Sequence, residues 1–433
     1  MNIIQIIPGS GGSFYCGNCL RDSKYFDALR SEGHQVVKIP MYLPLFADEH
    51  DLSEIPIFYG AVSLYLKQQY PFFRKAPKWV DKLLNSKPLL KLAASMAGST
   101  NAKGLEEMTE SMLMGEEGKQ REELNEMVDW IAGHCQPDII HLSNALLLGL
   151  AHQLKEKVKV PVVCSLQDED VWVDAMEPAF RKEIWKLMHE KSKHVDAFIS
   201  VSNFFAEVMK KNMQLPNERV HSIYLGVGHE DYTYINSSEK PRNIGYISRI
   251  NHENGFDIVA DAFIILKKKP GFKDVKLVVT GGSTGDDAKF IKEIKKKIRK
   301  NNLESQVDFH EKYEDEGQHE FFKKVSVLSV PVRKGEAFGM YLLEAMASGI
   351  PVVQPALGAF PEIVEISKGG IIYQENTPGE LAATWEGLLS NPARLQLLSE
   401  QAVKGVKENF DIHAQSGKMI ELYKSLSKRN IMS

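Results

Sequence analysis

Short apolar runs alternate with helical patterns along this chain, and the alternation occurs in two successive blocks. In the first block, the runs that we predict as strands are Asn2–Ile7, Gln35–Ile39, Asp138–Leu142, Val160–Leu166, Ala197–Val201 and Val220–Tyr224. The helical patterns that follow them run through Leu20, Phe26 and Leu29, from Asn144, around Pro178–His189, and from Asn203. Regular alternation of strand and helix predicts a parallel sheet covered by helices.

The second block repeats this pattern after a polar segment, Ile235–Arg242, which we predict as the domain linker. Its predicted strands are Asn243–Ser248, Val275–Thr280, Gln306–His310, Val325–Val332, Ile350–Gln354 and Gly370–Tyr373. Its predicted helices are Phe256–Lys268, Asp287–Lys300, Glu316–Lys323, Gly339–Ala347, Phe360–Ile366, Pro378–Leu389, Pro392–Asn409 and His413–Ser427.

Two consecutive sheets of this kind predict an α/β protein with two Rossmann-like domains. We place the first domain at residues 1–235 and the second at residues 236–412. Ligands of such folds bind at the carboxyl ends of the strands. We therefore expect the two domains to face each other across a cleft that holds a ligand.

Residues 61–120 interrupt the rhythm of the first block and are predicted as a helical insertion. The stretch mixes lysines with aromatic residues, among them Tyr65, Phe72 and Trp79. Helices packed on the domain surface are one interpretation. A face that binds the acceptor or an anionic membrane is the other, because lysines and aromatics together suit a lipid interface.

Composition narrows the class of protein. A chain of 433 residues is too long for one hydrophobic core, and its net charge of -4 argues against a nucleic-acid partner. Its 4 cysteines are too few for a disulfide scaffold, and we find neither a signal peptide nor a membrane-spanning run. These features favour a cytoplasmic location. We interpret the lysine-rich stretch Lys289–Lys300 as a solvated helix face, with a lipid or RNA patch as the alternative.

The strongest candidate for chemistry is the segment from Arg333 to Val353. Here a buried strand leads into a glycine-containing loop and then into a helix. Gly339 would let a ligand approach the backbone closely. The N–H groups of Gly339, Met340 and Tyr341, together with the helix dipole, suit a phosphate.

Two glutamates flank the start of this helix, Glu336 in the loop and Glu344 about two turns along. We expect each to accept hydrogen bonds from hydroxyls at opposite ends of one ligand, Glu336 from a sugar and Glu344 from a ribose. The alternative makes Glu336 a capping acid and Glu344 a surface residue of the helix.

This segment resembles the E-x7-E signature of retaining glycosyltransferase family 4, whose fold is named GT-B. The string from Glu344 to Val353, EAMASGIPVV, carries the resemblance most clearly. It implies transfer of a sugar from a nucleoside diphosphate with retention of configuration and without a metal, so no metal-binding residue is predicted. It further implies that Phe338 contributes to the donor site and that residues 413–433 pack back onto the first domain.

The resemblance also places Arg249, in Tyr246-Ile247-Ser248-Arg249-Ile250, on the donor pyrophosphate. A guanidinium fork suits a diphosphate, although a purely structural ion pair is the alternative. Relatives carry a lysine shortly afterwards, where this chain has Asn254. Either Lys334 or His252 is a candidate for the missing charge.

In the first domain, the resemblance assigns the loop with Gly9, Gly11 and Gly12 to the donor. Gln167 and Asp168 follow a predicted strand and are our candidates for contacts to sugar and acceptor. Relatives often have a histidine near Gln167. A loop that caps the next helix is the alternative.

Cys16 and Cys19 form a C-x-x-C at the start of the first helix. A zinc site needs two more ligands, and the sequence contains no second C-x-x-C. Small residues that pack the glycine loop are the interpretation that we favour over metal or redox chemistry. Arg21 and Asp22 follow one turn later and would face the same cleft.

The resemblance therefore implies a retaining, metal-independent glycosyltransferase with a UDP- or GDP-sugar donor and no tightly bound cofactor. The expected acceptor is a glycan, a lipid-linked molecule or a small molecule, with contact at the inner face of the membrane left open. Because Asn254 and Gln167 replace groups that can carry charge, a nucleotide-sugar-binding protein without turnover is the alternative, followed by an epimerase or phosphorylase.

Overall fold

The computed structural model of the protein describes residues 1–8, 17–41, 104–310 and 315–432. These residues form two compact units. The first is built mainly from the chain up to Tyr224 and from Ser416 onward, and the second runs from Leu225 to Gln415. The predicted linker, Ile235–Arg242, belongs to the second unit. Residues 61–103 of the predicted insertion lie outside the described part of the chain.

The first unit contains a six-stranded parallel sheet. Its strands are β1 Asn2–Ile7, β2 Gln35–Pro40, β3 Ile139–Leu142, β4 Val162–Leu166, β5 Ala197–Ser200 and β6 Val220–Ser222. They are ordered β2-β1-β3-β4-β5-β6, and every pairing is parallel. The α-helices that its described residues form are Gly17–Ser31, Glu106–Met114, Arg121–His134, Ala151–Val158, Glu169–Asp174, Pro178–Ser192 and Asn203–Met213.

The second unit contains another six-stranded parallel sheet. Its strands are β7 Ile244–Ile247, β8 Leu277–Thr280, β9 Val307–Phe309, β10 Val327–Leu328, β11 Val352–Pro355 and β12 Gly370–Tyr373, ordered β12-β11-β10-β7-β8-β9. Its described helices are Phe256–Lys267, Ala288–Lys300, Asp315–Lys324, Met340–Ala347, Phe360–Ser367, Pro378–Leu389 and Pro392–Asn409. Two parallel sheets covered by helices confirm the predicted fold class of two Rossmann-like α/β domains.

Strand β10 is shorter than the predicted strand Val325–Val332. Only Val327 and Leu328 pair as a strand, although Ser329 N–H still donates to the carbonyl of Gly245 at 3.0 Å. Beyond that point, Val330 N–H donates to the side-chain Oε1 of Gln354 at 3.2 Å. Pro331, the next residue, has no N–H to donate. The side chain of Gln354 and the missing N–H of Pro331 therefore end the hydrogen-bond ladder of β10 earlier than the apolar pattern predicts.

The last helix, Ile412–Met432, anchors its later half in a buried polar network of the first unit. The Tyr423 hydroxyl lies 2.7 Å from Nδ1 of His141, and Nε2 of His141 lies 2.8 Å from the Ser165 hydroxyl. Burial, together with the charge of Arg21, lowers the pKa of His141 to about 3. Hydroxyl partners on both ring nitrogens suit a neutral imidazole.

Among the described residues, no helix combines the length and the apolar character that crossing a membrane requires.

The buried histidine makes the stability of the chain sensitive to acid. The unfolded chain binds a proton at His141 below its ordinary pKa of 6.5, whereas the folded chain does so only near 3. The free energy of unfolding should therefore fall as the pH drops from 6.5 towards 3, by at most about 1.4 kcal/mol per pH unit from this group.

Urea titrations across this pH range would measure the effect. The variant His141→Gln should be less stable at neutral pH and should show a shallower dependence on acid. The matched control is His134→Gln, because His134 is exposed. Equal slopes for the wild type and His141→Gln would contradict the assignment.

Candidate functional site

The helix Met340–Ala347 begins where the chain leaves the carboxyl end of strand β10 through a glycine loop. Gly339 occupies its N-cap position with φ 94° and ψ 78°, a left-handed conformation that a side chain would strain. All residues of the helix are buried. The first N–H groups of a helix have no carbonyl within their own helix to bind. The start of this helix therefore has the polarity that favours an anion.

A backbone contact between two glycine loops positions Glu336. A Cβ on Gly335 would lie 2.6 Å from the backbone nitrogen of Gly358, and one on Gly358 would lie 2.4 Å from that of Glu336. The Ala359 N–H then donates to the carbonyl of Glu336 at 3.0 Å. Because no side chain fits between them, the loop before the helix Phe360–Ser367 fixes the backbone that carries this glutamate.

The carboxylate of Glu336 is half-buried and accepts a hydrogen bond from the hydroxyl of Tyr341, in the first turn of the helix. Its Oε2 would lie 3.4 Å from a Cβ on Gly339. The carboxylate thus sits over the beginning of the helix. Sequence reasoning selected Tyr341 for its N–H group and missed the role of its hydroxyl, because side-chain contacts do not follow from motif spacing.

Glu344 is only 1% exposed, so it is not the surface residue that the sequence left open. Its Oε1 accepts from the Tyr232 hydroxyl at 3.2 Å, and its Oε2 accepts from Nε2 of Gln318 at 2.8 Å. These neutral donors hold the carboxylate in one orientation inside the second unit. A contact to ribose stays a prediction.

Arg249 follows strand β7 and forms a bidentate ion pair. Its Nε and Nη2 lie 2.8 and 3.0 Å from the two carboxylate oxygens of Asp287, and Nη2 also donates to the Thr284 hydroxyl at 2.8 Å. Burial alone would raise the pKa of Asp287, but the hydrogen bonds from Arg249 and Thr284 outweigh it and lower that pKa. The structural ion pair left open by the sequence is therefore present, and binding to a diphosphate stays a prediction.

Asn254 stabilises the loop that carries Arg249 through hydrogen bonds. Its side-chain amide donates to the Ser248 hydroxyl at 2.8 Å and to the Arg249 carbonyl at 3.2 Å. Its backbone N–H donates to the side chain of Asn251 at 2.8 Å. The uncharged residue at this position thus shapes the loop through hydrogen bonds to neutral groups.

The two candidates for a compensating charge lie near an arginine that the sequence reasoning overlooked. Lys334 is exposed, and Nδ1 of His252 lies 3.5 Å from Asp257 Oδ2. Arg333 joins these loops, because Nη2 lies 2.5 Å from Asp257 Oδ2 and Nε donates to the His252 carbonyl at 3.1 Å. Arg333 directly precedes Lys334 in the sequence, and this position could have identified it as a candidate.

Phe338 and Met340 are buried, with 2% and 3% of their surface exposed. The ring of Phe338 meets that of Phe410 edge-on, with centroids 6.1 Å apart. These side chains pack the loop within the second unit. The predicted contribution of both residues to donor binding would then come through the backbone.

In the first unit, Gln167 follows strand β4 and is 6% exposed. Its Nε2 donates to the Ser143 carbonyl at 2.7 Å, while its Oε1 has no hydrogen-bond partner among the described residues. Asp168, at φ 55°, holds the N-cap position of the helix Glu169–Asp174, but its side chain does not cap that helix. The capping interpretation is therefore wrong for Asp168.

Glu169, which the sequence reasoning did not select, is 1% exposed beside Gln167. Its two carboxylate oxygens accept from the N–H groups of Ala145 at 2.8 Å and Gln167 at 2.6 Å. Burial raises the pKa of Glu169 to about 8. Arg21 reaches the same region, because its Nη2 donates to the Ser143 carbonyl at 3.2 Å.

Gly9, Gly11, Gly12 and Cys16 lie outside the described residues, and so does the side chain of Cys19.

Two protein-family models match adjoining parts of the chain. The model described as "Glycosyltransferase Family 4" matches residues 117–231, and the model described as "Glycosyl transferases group 1" matches residues 232–405. Together they cover more than half of the 433 residues. The chain belongs to the GT-B glycosyltransferases. The resemblance inferred from the Glu336–Glu344 segment is thereby confirmed at the level of this family.

Among curated proteins, one similar sequence is the lipopolysaccharide core biosynthesis mannosyltransferase LpsB of Rhizobium meliloti (strain 1021). It is 27% identical over 191 residues, which are 43% of this chain and 52% of that protein. The chain thus spans about half the length of that relative.

Two solved structures share the fold over almost the whole chain. Sucrose-phosphate synthase from Thermosynechococcus elongatus matches with a TM-score of 0.72 at 17% identity, covering 98% of this chain and 99% of that one. HepE of Anabaena in complex with UDP-glucose matches with a TM-score of 0.67 at 16% identity, covering 98% and 100%. At these identities the likeness supports the fold of this family.

Proposed function

We propose that the chain is a retaining, metal-independent glycosyltransferase that uses a nucleoside-diphosphate sugar. The observation that carries the proposal is Glu336, held by Tyr341 over the start of the helix Met340–Ala347. A helix N-terminus suits a diphosphate, and the carboxylate beside it suits sugar hydroxyls. Support for a UDP-sugar as donor comes from the similar fold of HepE, which was solved with UDP-glucose.

The charge that develops on the leaving diphosphate requires stabilisation. We assign this to the N–H groups of Gly339, Met340 and Tyr341 and to the guanidinium of Arg249, with Lys334 as an additional cation. Fixed donors of this kind lower the barrier because they need no reorganisation during the reaction. The diphosphate would share Arg249 with Asp287, which already orients the guanidinium.

The transfer itself needs no protein base. The bond between the sugar's anomeric carbon and the phosphate oxygen breaks, and a bond from that carbon to the acceptor oxygen forms on the same face. The acceptor's proton passes to the leaving phosphate oxygen. In this proposal Glu336 orients the sugar, while Glu344 binds the ribose with a carboxylate that Tyr232 and Gln318 hold in place.

We assign acceptor binding to the first unit. Gln167 and Asp168 would contact sugar and acceptor hydroxyls, and the buried Oε1 of Gln167 offers an acceptor of hydrogen bonds. A carbohydrate acceptor is favoured because the relative LpsB is a lipopolysaccharide core mannosyltransferase; lipid-linked and small-molecule acceptors, and contact with a membrane, remain further hypotheses.

The variant Glu336→Gln tests the proposal. It keeps the size of the side chain but removes the charge, and we expect transfer from radiolabelled nucleotide sugars to fall at least a hundredfold with the melting temperature nearly unchanged. Electrostatic groups at a reaction centre are typically worth this much. The control is Glu365→Gln, an exposed glutamate on the neighbouring helix. Near-normal transfer by Glu336→Gln would refute the role of Glu336.

The variant Arg249→Ala tests the diphosphate contact. We expect donor affinity measured by calorimetry to fall more than tenfold, or about 1.4 kcal/mol, because a charge-assisted pair is lost. Arg242→Ala is the control, since Arg242 makes a similar bidentate pair with Asp274 at 2.6 and 3.3 Å on the surface of the same unit. If both variants bound the donor as the wild type does, Arg249 would be a structural residue only.

A further inference from the structure

Two histidines and two carboxylates meet where two segments of the second unit are joined. His229 and Glu230 lie in the short turn after Val227, and Asp411 and His413 lie at the start of the last helix. The Val227 N–H donates to the Phe410 carbonyl at 3.0 Å, and the Ile412 N–H donates to the Val227 carbonyl at 3.1 Å. These backbone bonds hold the two pairs of side chains next to each other.

The ligand-type atoms of this cluster converge. Nδ1 of His229 lies 3.2 Å from Oε2 of Glu230 and 3.3 Å from Oδ2 of Asp411. One ligand atom from each of these three residues lies within 4.8 Å of the others. Nε2 of His413 lies 3.8 Å from Oε1 of Glu230. Three potential ligands are thus in place, and His413 lies next to one of them.

Two of these spacings, 3.2 and 3.3 Å, are close to those of a tetrahedral metal site. Zinc binds imidazole nitrogen and carboxylate oxygen at about 2.0–2.2 Å, so neighbouring ligand atoms of a tetrahedron lie roughly 3.3–3.6 Å apart. The alternative arrangement is a hydrogen-bonded histidine, whose single N–H on Nδ1 is shared between the two carboxylate oxygens. Titration with zinc distinguishes the two arrangements.

Neighbouring backbone groups orient two of the proposed ligands, Asp411 and Glu230, in the absence of a metal. Oδ1 of Asp411 accepts from the Ala414 N–H at 3.0 Å, which caps the last helix and leaves Oδ2 directed at His229. A Cβ on Gly228 would lie 3.2 Å from Oε1 of Glu230, so glycine gives that carboxylate room. Supporting hydrogen bonds of this kind tune metal ligands. The partial exposure of His229, 36%, and of Glu230, 55%, provides an entry path.

We propose that His229, Glu230 and Asp411, with His413 as the fourth ligand, form a binding site for a divalent metal ion, with zinc preferred. Imidazole and carboxylate together select zinc over calcium or magnesium, which prefer oxygen alone. The ion would tie the turn after Val227 to the start of the last helix and so stabilise the fold. It has no part in the sugar transfer proposed above, which stays independent of a metal.

Calorimetric titration of the full-length chain with zinc chloride, after treatment with EDTA and desalting, tests this proposal. We expect one zinc ion per chain, and we expect cobalt in its place to give the visible absorption of a tetrahedral complex. The variants His229→Ala and Asp411→Asn should each weaken zinc binding at least tenfold. Asparagine can still cap the helix through its side-chain oxygen, so Asp411→Asn should fold like the wild type.

The matched control is His189→Ala, because His189 lies on the helix Pro178–Ser192 and its ring nitrogen Nδ1 lies 2.8 Å from the Met213 carbonyl. It should bind zinc as the wild type does. Absence of stoichiometric zinc binding to the wild type would overturn the proposal. So would unchanged affinity in both His229→Ala and Asp411→Asn, since zinc would then sit elsewhere. Neither result bears on sugar transfer, which is measured separately.

Discussion

The close backbone contact between the loops of Gly335 and Gly358 is the constraint on which the candidate site depends. Neither position has room for a side chain, and the Ala359 N–H locks the carbonyl of Glu336. From this fixed backbone the carboxylate reaches the hydroxyl of Tyr341 at the start of the next helix. A helix dipole alone is worth only about 0.3–1 kcal/mol to an anion at an exposed site, so placement of additional groups has to provide specificity.

Two arginines of the candidate site are each paired with a carboxylate of the same unit. Asp287 holds the Arg249 fork in a defined orientation, while Asp257 pairs with Arg333. Because both arginines already have a carboxylate partner, a diphosphate gains less from them than it would from isolated cations. Their orientation, however, costs little on binding because it is already fixed. Asn254 contributes to this order through the loop, without adding charge.

The sequence was sufficient to predict the fold because the apolar runs and helical patterns agree with each other in both blocks. Strands that are buried on both faces are read directly from such runs. The predicted length of β10 was wrong, because Pro331 and the side chain of Gln354 interrupt the hydrogen-bond ladder. Hydrogen bonds between side chains and distant backbone groups produce no periodic pattern in the sequence.

The same limit applies to the site. The motif selected Glu336, Arg249 and Glu344, but it did not indicate their partners Tyr341, Asp287 and Tyr232. Arg249 and Asp287 are far apart along the chain, and only the folded loops bring them together. The cluster of His229 and Asp411 was missed for a similar reason, since one residue precedes and the other follows most of the second unit.

A crystal structure of the chain with a bound nucleoside diphosphate tests the central claim most directly. Our account predicts that phosphate oxygens lie within hydrogen-bonding distance of the N–H groups at Gly339, Met340 and Tyr341. Density for the nucleotide at any other position, with this helix start left without phosphate, would contradict it.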